Sequence, residues 1–281
     1  MSPAPRTFHD AAAEGSVEEI ELADLPAAVV CATCGESDCP GCALELARDT
    51  RSGLVVFVPW ERPQLGLWSR FWTTSRLTTE SADSFFSSLP DGAVSPALAY
   101  ALLAESLAVG TTVLAWTGLG IGLSYAALPA FTTHLLASTT GRAGLIRMSG
   151  VAWITFTVVL LVAHLLHGYF LDREARGVGA VGRPTRALRF GLYAAGWDVA
   201  QSPLGFVATL LTRGPKGFGD IYRNATSTPA KATVALLRGV YGLDGVLLAT
   251  VRRRSIFKTM VASVGVICVG IVAVAASVIL G

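Results

Sequence analysis

The sequence predicts an all-α membrane protein, in which five transmembrane helices follow an amphipathic interfacial helix and a small N-terminal knuckle. Hydrophobic residues make up 52% of the 281-residue chain and charged residues only 15%, whereas charged residues make up about 25% of a typical soluble domain. Most acidic residues lie within residues 1–93, and the rest of the chain consists of long apolar stretches separated by short basic loops. Both observations favour a chain that lies mostly in lipid.

The same patterns divide the chain into four parts. Residues 1–25 form an acidic tail that we expect to be disordered. Residues 26–60 form a knuckle built on four cysteines, 61–93 form the interfacial helix, and 94–281 form the transmembrane domain.

Five apolar stretches come close to the roughly 20 residues that a helix needs to cross a bilayer. They cover residues 97–121, 148–170, 190–211, 232–251 and 256–280. The third and fourth are the weakest, because Asp198 and Pro203 interrupt one while Arg238 and Asp244 interrupt the other. We expect these two to insert as a pair that masks each other's polar groups. An amphipathic hairpin at the membrane surface is the alternative.

The distribution of basic residues predicts the orientation of the bundle. Loops 172–189 and 252–258 together hold nine Lys and Arg residues, against six in the loops of the opposite side. This bias favours a cytoplasmic N-terminus. Arginine supplies 19 of the 22 basic residues, and Ala, Gly and Val are abundant, which indicates a GC-rich bacterial genome and hence the bacterial inner membrane.

The strongest chemical motif is CATCGESDCPGC, in which Cys31, Cys34, Cys39 and Cys42 follow the spacing C-x2-C-x4-C-x2-C. Four thiolates within so short a segment match the tetrahedral sulfur shell of a structural zinc. An iron-sulfur cluster is one alternative, and thiols without metal, free or paired in disulfides, are another.

Four cysteines close the shell of a zinc ion, whereas a catalytic zinc keeps one position open for water. The knuckle is therefore predicted to dock a cytoplasmic protein partner rather than to catalyse a reaction. Nucleic-acid binding is disfavoured because Glu36, Asp38 and Glu45 flank the cysteines. The sequence also lacks a phosphate-binding loop, a nucleophile elbow, an H-E-x-x-H pair and a dinucleotide fingerprint, so we expect no enzyme.

Residues 64–89 join the knuckle to the first span. Leu65, Trp68, Phe71 and Trp72 fall at helical spacing, and arginines lie off that face. Aromatic residues with arginines are typical of the headgroup layer, so this segment is predicted to be an interfacial helix. A helix packed on the membrane bundle is the alternative.

The segment PWERPQLGLWSRFWTTSRLTTESADSFFSSLPDG, followed by the first span, resembles the bacterial members of the Yip (Rab-GTPase-interacting) membrane-protein family. The stretch ALRFGLYAAGWDVAQSPLGFVATLL is similar to the third span of that family in its Tyr-Ala and mid-span Pro-x-Gly. The resemblance covers roughly residues 59–281 and implies five helices, a cytoplasmic N-terminus and no catalytic residues. The Asp-Leu-Tyr-Gly-Pro type segment of eukaryotic relatives is not present, and the cysteines are an addition to the family pattern.

Several ionisable residues lie inside the predicted spans, where charges are costly and often functional. At about 1.5 Å per residue, three acids lie at matching depths of roughly 10 to 12 Å from the cytoplasmic ends of their spans, and two histidines face the same way. The predicted polar cluster comprises Glu105, His164, His167, Asp198, Arg238 and Asp244. Its function is either to hold helices together or to carry a proton or ion.

Two classes of function follow from these patterns. The first is a non-enzymatic membrane adaptor or membrane-organising protein, in which the zinc knuckle docks a cytoplasmic partner and the bundle contacts lipid. The alternative is a small transporter or channel that uses the intramembrane ionisable residues. Neither class requires nucleic acid, and a homo-oligomer stays open.

Overall fold

The computed structural model describes residues 58–279, except for the side chains of 216, 218, 220–226 and 277–279. These residues belong to the second of the chain's two compact units, Thr50–Gly281. The predicted tail, 1–25, lies outside the described residues, and so does the predicted metal knuckle, including all four of its cysteines. The zinc prediction therefore stays a prediction.

Every regular element between residues 58 and 279 is helical. Two short 3-10 turns, Pro59–Glu61 and Gly214–Lys216, accompany nine α-helices in the described part of the chain. The α-helices are α1 (Leu67–Glu80), α2 (Ala82–Ser87), α3 (Val94–Ala127), α4 (Pro129–Ala137), α5 (Thr139–Gly177), α6 (Pro184–Gln201), α7 (Pro203–Arg213), α8 (Gly217–Gly239) and α9 (Gly245–Ile279).

Three of these helices are long and apolar enough to cross a membrane. Among the described residues they are Val94–Ala127, Thr139–Gly177 and the Gly245–Ala276 part of α9. They contain the predicted spans 97–121 and 148–170 and most of 256–280. The chain is therefore consistent with a multi-pass membrane protein, as its composition predicted.

The two weaker predicted spans are not continuous helices. The third, 190–211, is divided because α6 ends at Gln201 and α7 begins at Pro203. The Ser202 hydroxyl caps α7 by accepting a hydrogen bond from a backbone N–H, and a proline in the first turn of a helix has no N–H to lose there. These two signals explain the break in physical terms.

The fourth predicted span, 232–251, contains a turn between α8 and α9. Gly242 and Gly245 adopt left-handed backbone angles, with φ of 64° and 54°, which favour glycine and end a helix. The prediction of continuous helices at these two places is therefore wrong. The five-span count itself stays a prediction.

Helix α1 packs against α6 rather than standing apart from the bundle. Phe71, Thr74 and Thr78 are buried, while Trp68 is exposed. The aromatic residues that share a face in the sequence thus divide between the protein interior and its surface. This is the packed arrangement that the sequence had left open for this segment.

Helix α6 lies at the centre of the bundle, with 12 of its 18 residues buried. It runs antiparallel to α5 and approaches it closely at two glycines. A Cβ added to Gly191 would lie 2.1 Å from the carbonyl oxygen of His164, and one added to Gly168 would lie 2.1 Å from that of Ala187. This glycine contact brings the polar side chains of the two helices within bonding distance.

An aromatic cluster fills the space between α1, α2, α3 and α6. For example, the ring centroids of Tyr100 and Tyr193 are 5.3 Å apart, and those of Phe86 and Phe190 are 4.8 Å apart. Such pairs contribute roughly 0.5–1.5 kcal/mol each beyond the area that they bury. The cluster fixes α3 beside α6, with the two helices running parallel.

Candidate functional site

Three ionisable side chains from three helices meet inside the bundle. The His164 Nε2 on α5 lies 2.8 Å from Asp198 Oδ2 on α6 and 3.0 Å from Glu105 Oε1 on α3. One ligand atom from each residue lies within 4.8 Å of the other two. We call Glu105, His164 and Asp198 the EHD site.

The EHD site lies within the apolar length of the bundle. Residues 148–171 of α5 contain no Asp, Glu, Lys or Arg. His164 lies eight residues before Asp172, which at 1.5 Å per residue is about 12 Å inside the end of that stretch. The site is therefore surrounded by the part of the protein that composition assigns to lipid.

Small residues on α3 make room for the site. Ala97, Ala101, Ala104 and Ala108 are buried and recur at helical spacing on the face that meets the other helices. Glu105 is buried on this face with a side chain that is 0% exposed. A carboxyl group thus occupies a surface that is otherwise lined by methyl groups.

The hydrogen bonding of the EHD site is incomplete. The His164 Nε2 shares a well-aligned hydrogen bond with Asp198, whereas its contact with Glu105 is close but poorly aligned. Both carboxyl oxygens of Glu105 are buried and have no hydrogen-bond partner among the described residues. Because more than nine in ten buried polar groups are hydrogen-bonded, an orphan of this kind requires an explanation.

One cavity reaches the EHD site, and it shares one lining residue with a second cavity. The first, of about 570 Å³, lies between α3, α5 and α9 and reaches Asp198, Gln201 and Ser202 at the end of α6. The second, of about 550 Å³, lies between α1, α6, α7 and α8, and its lining includes Trp72 and Gln201. Gln201 therefore lies between the cavity that reaches Asp198 and a second cavity whose lining does not include Glu105, His164 or Asp198.

The sequence-predicted cluster divides in the structure. Glu105, His164 and Asp198 come together, and His167 is half-buried three residues along α5. The His167 ring packs edge-on against Phe190 at 5.4 Å between centroids, and its Nε2 has no hydrogen-bond partner in the described part of the chain.

Arg238 and Asp244 do not join the buried layer, and the prediction that they do is wrong. They lie 3.6 Å apart, and their side chains are 64% and 81% exposed. The physical reason is the turn between α8 and α9, which places Asp244 next to the first turn of a helix instead of at the centre of a span.

Sequence reasoning assigned Arg189 to a basic loop, whereas its side chain is only 1% exposed. It forms an ion pair with Glu61 at 2.9 Å, and the Tyr193 hydroxyl donates to the same carboxylate at 2.5 Å. The neighbouring Trp60 donates its ring N–H to the backbone oxygen of Pro96. The Pro-Trp-Glu motif is the sequence feature that could have indicated this ion pair. Its acid, Glu61, lies before the first span and can partner a buried arginine.

A second polar network surrounds Asp172 at the end of α5. Asp172 accepts hydrogen bonds from the Tyr241 hydroxyl and from the backbone N–H of Arg183, and it pairs with Arg176. Nearby, Lys258 on α9 pairs with Glu174. These contacts fix the start of α9 against α5.

No protein-family model, no curated protein and no solved structure matches this chain. The resemblance to the Yip family therefore stays a prediction, and function is inferred from the geometry of the EHD site.

Proposed function

We propose that this protein is a small transporter or channel for a cation, and that the EHD site binds the cation on its way through the membrane. The observation that carries the proposal is the Glu105 carboxyl, which is fully buried and has no hydrogen-bond partner in the described residues. Its 3.0 Å contact with His164 Nε2 is not an aligned hydrogen bond. An ionised carboxylate in this state is expensive to bury, and a bound cation would compensate its charge.

The charge of the site supports a cation rather than an anion. Asp198 and Glu105 supply two carboxyl groups, and within the described part of the chain His164 is the only basic side chain within ion-pair distance of both. Intramembrane acidic residues of this kind mark ion pathways when they face a cavity or one another.

The two cavities at Gln201 support transport rather than storage. One cavity reaches Asp198 from the side of α3, α5 and α9, and the other approaches Gln201 from the side of α1 and α7. A local movement of the broken segment between α6 and α7 would connect them. Breaks in membrane helices recur at binding sites because they free backbone groups near the midplane.

The membrane arrangement belongs to the same proposal. We propose that α6 with α7, and α8 with the start of α9, supply the two further crossings predicted from the sequence, in a bacterial inner membrane with a cytoplasmic N-terminus. Docking of a protein partner through Cys31, Cys34, Cys39 and Cys42 stays a sequence prediction, because these residues lie outside the described part of the chain.

The test is cation flux into vesicles that contain the purified full-length protein. Flux of H⁺, Na⁺, K⁺ and Mn²⁺ is measured for the wild type, for Glu105→Gln and for the matched control Asp244→Asn, which changes an exposed acid. We expect at least one cation to enter faster than in protein-free vesicles, and Glu105→Gln to reduce that flux at least tenfold. The control should retain it.

Two results would contradict the proposal. The first is wild-type flux equal to that of protein-free vesicles for every cation. The second is equal flux in the wild type and Glu105→Gln, because the cation would then bypass the EHD site.

A further inference from the structure

We infer that the EHD site binds a divalent transition-metal ion, so that the cation class of the proposed transport function is a metal such as Mn²⁺ or Zn²⁺. The inference about transport rests on the proposed function. The inference about binding stands on the geometry of Glu105, His164 and Asp198 alone.

The donor set selects this class of ion. One imidazole nitrogen and two carboxylate oxygens suit Zn²⁺, Mn²⁺, Fe²⁺ and Co²⁺, whereas Mg²⁺ and Ca²⁺ prefer oxygen ligands alone. Two ionised carboxylates with a neutral imidazole carry a formal charge of −2, which a divalent ion neutralises. An uncompensated charge would be costly at this depth.

The distances between the three side chains lie close to those between the ligands of a bound ion. Two ligands bound to a tetrahedral ion at about 2.1 Å lie about 3.4 Å apart. The separations from His164 Nε2 to Asp198 Oδ2 and to Glu105 Oε1 are 2.8 Å and 3.0 Å. Side-chain rotations that open each gap by about 0.5 Å would admit the ion at normal bond lengths.

The orphaned carboxyl of Glu105 is the independent observation that points to a ligand. The hydrogen bond between His164 and Asp198 already satisfies those two groups without it. Packing does not require it either, because alanines occupy the neighbouring positions of the same α3 face. A bound metal ion would explain why this carboxyl group is buried and why it lies beside His164 and Asp198.

Three protein ligands leave coordination positions open, as in sites that exchange water or substrate. The cavity that reaches Asp198 offers a route to these positions, since it is lined by residues of α3, α5 and α9 and ends at Gln201 and Ser202. Exchange of the ion is a requirement for a transported metal, in contrast to a closed structural site.

The experiment is Mn²⁺ binding to the purified full-length protein in detergent, followed by the loss of the free-ion electron paramagnetic resonance signal. Mn²⁺ is chosen because hard cations bind thiolates poorly, so the four N-terminal cysteines contribute little. We expect one saturable site per chain, and excess Zn²⁺, but not excess Mg²⁺, should displace the Mn²⁺.

Ligand and control variants then locate the site. Glu105→Gln and Asp198→Asn should each weaken Mn²⁺ binding at least tenfold, the size that even changes outside the coordination shell reach. His167→Gln, which changes a half-buried histidine on the same helix, and Asp244→Asn should bind as the wild type does. Wild-type binding that Glu105→Gln leaves unchanged would overturn the assignment.

A measurement on the wild type alone tests the metal site even if the variants fail to fold. Pulsed electron paramagnetic resonance of bound Mn²⁺ should detect the nitrogen of one imidazole. Absence of saturable binding, or bound Mn²⁺ without a nitrogen coupling, would overturn the metal site.

The two proposals fail separately. Glu105-dependent flux of a monovalent cation with no Mn²⁺ binding would overturn the metal site and leave transport standing. Mn²⁺ binding to the EHD site with no flux of any cation would support the metal site and overturn transport.

Discussion

Two buried charged side chains in this protein have opposite surroundings. Arg189 on α6 is 1% exposed and is held by the Glu61 carboxylate, which also accepts from Tyr193. Glu105 on α3 is 0% exposed and lacks any hydrogen-bond partner among the described residues. The first group forms well-aligned hydrogen bonds within the fold, whereas the second has only the poorly aligned contact with His164 at 3.0 Å.

The comparison distinguishes a residue that stabilises the fold, Arg189, from one that we assign to function, Glu105. A buried pair that is fully matched is expensive to break from one side, because the remaining charge stays buried. An unmatched carboxyl already carries that cost, so its removal should leave the fold as stable or more stable. Arg189 and Glu105 should therefore respond to substitution in opposite directions.

The largest expected effect is at Arg189. Arg189→Met removes one partner of a buried pair, so we expect the free energy of unfolding to fall by about 3–5 kcal/mol. Thermal or denaturant unfolding of the purified protein in detergent measures it. The matched control is Arg76→Met, because the Arg76 side chain is 69% exposed in its pair with Glu80 and such pairs contribute at most about 1 kcal/mol. Equal effects at the two arginines would refute the account of Arg189.

An intermediate effect is expected at the contact between α5 and α6. Gly191→Ala would place a Cβ 2.1 Å from the carbonyl oxygen of His164, which forces the helices apart. Overpacking of this kind costs about 1–3 kcal/mol, and it should also lower cation flux because His164 moves away from Asp198.

The control for this glycine is Gly144→Ala, since nothing lies within 4 Å of a Cβ at that position of α5. It should be neutral or stabilising by up to about 1 kcal/mol. If both substitutions leave flux and unfolding unchanged, the glycine contact does not position the EHD site.

The smallest effect is expected at Arg238 and Asp244. Their 3.6 Å pair is largely exposed, and exposed pairs contribute roughly 0–1 kcal/mol. Asp244→Asn should therefore change the free energy of unfolding by less than about 0.5 kcal/mol and leave cation flux unchanged. A large change in the free energy of unfolding or in cation flux would show that this pair belongs to the functional polar cluster predicted from the sequence.

The sequence predicted the all-helical fold and the three longest spans because each is a long apolar stretch with at most one charged residue, a signal that needs no tertiary information. It was wrong about continuous helices at 190–211 and 232–251. There, hydropathy averages over local stop signals such as Ser202–Pro203 and the glycines of the turn that follows α8.

The candidate site was likewise predicted correctly in part and wrongly in part. Depth counted along each helix placed Glu105 and Asp198 at one level, and the structure brings them together at His164. Depth could not place Asp244, because a turn rather than a helix centre surrounds it. Nor could it reveal that Arg189 is buried, since its partner lies 128 residues away in sequence.

The most direct test of the central claim is a paired measurement on Glu105→Met, in which cation flux and the free energy of unfolding are determined on the same preparation. The substitution replaces the unmatched carboxyl with an apolar side chain of similar size. We predict that flux falls at least tenfold while the free energy of unfolding stays the same or rises by about 1 kcal/mol. A protein that keeps its flux, or one that loses as much stability as Arg189→Met does, would contradict the claim that Glu105 is held ready for a cation.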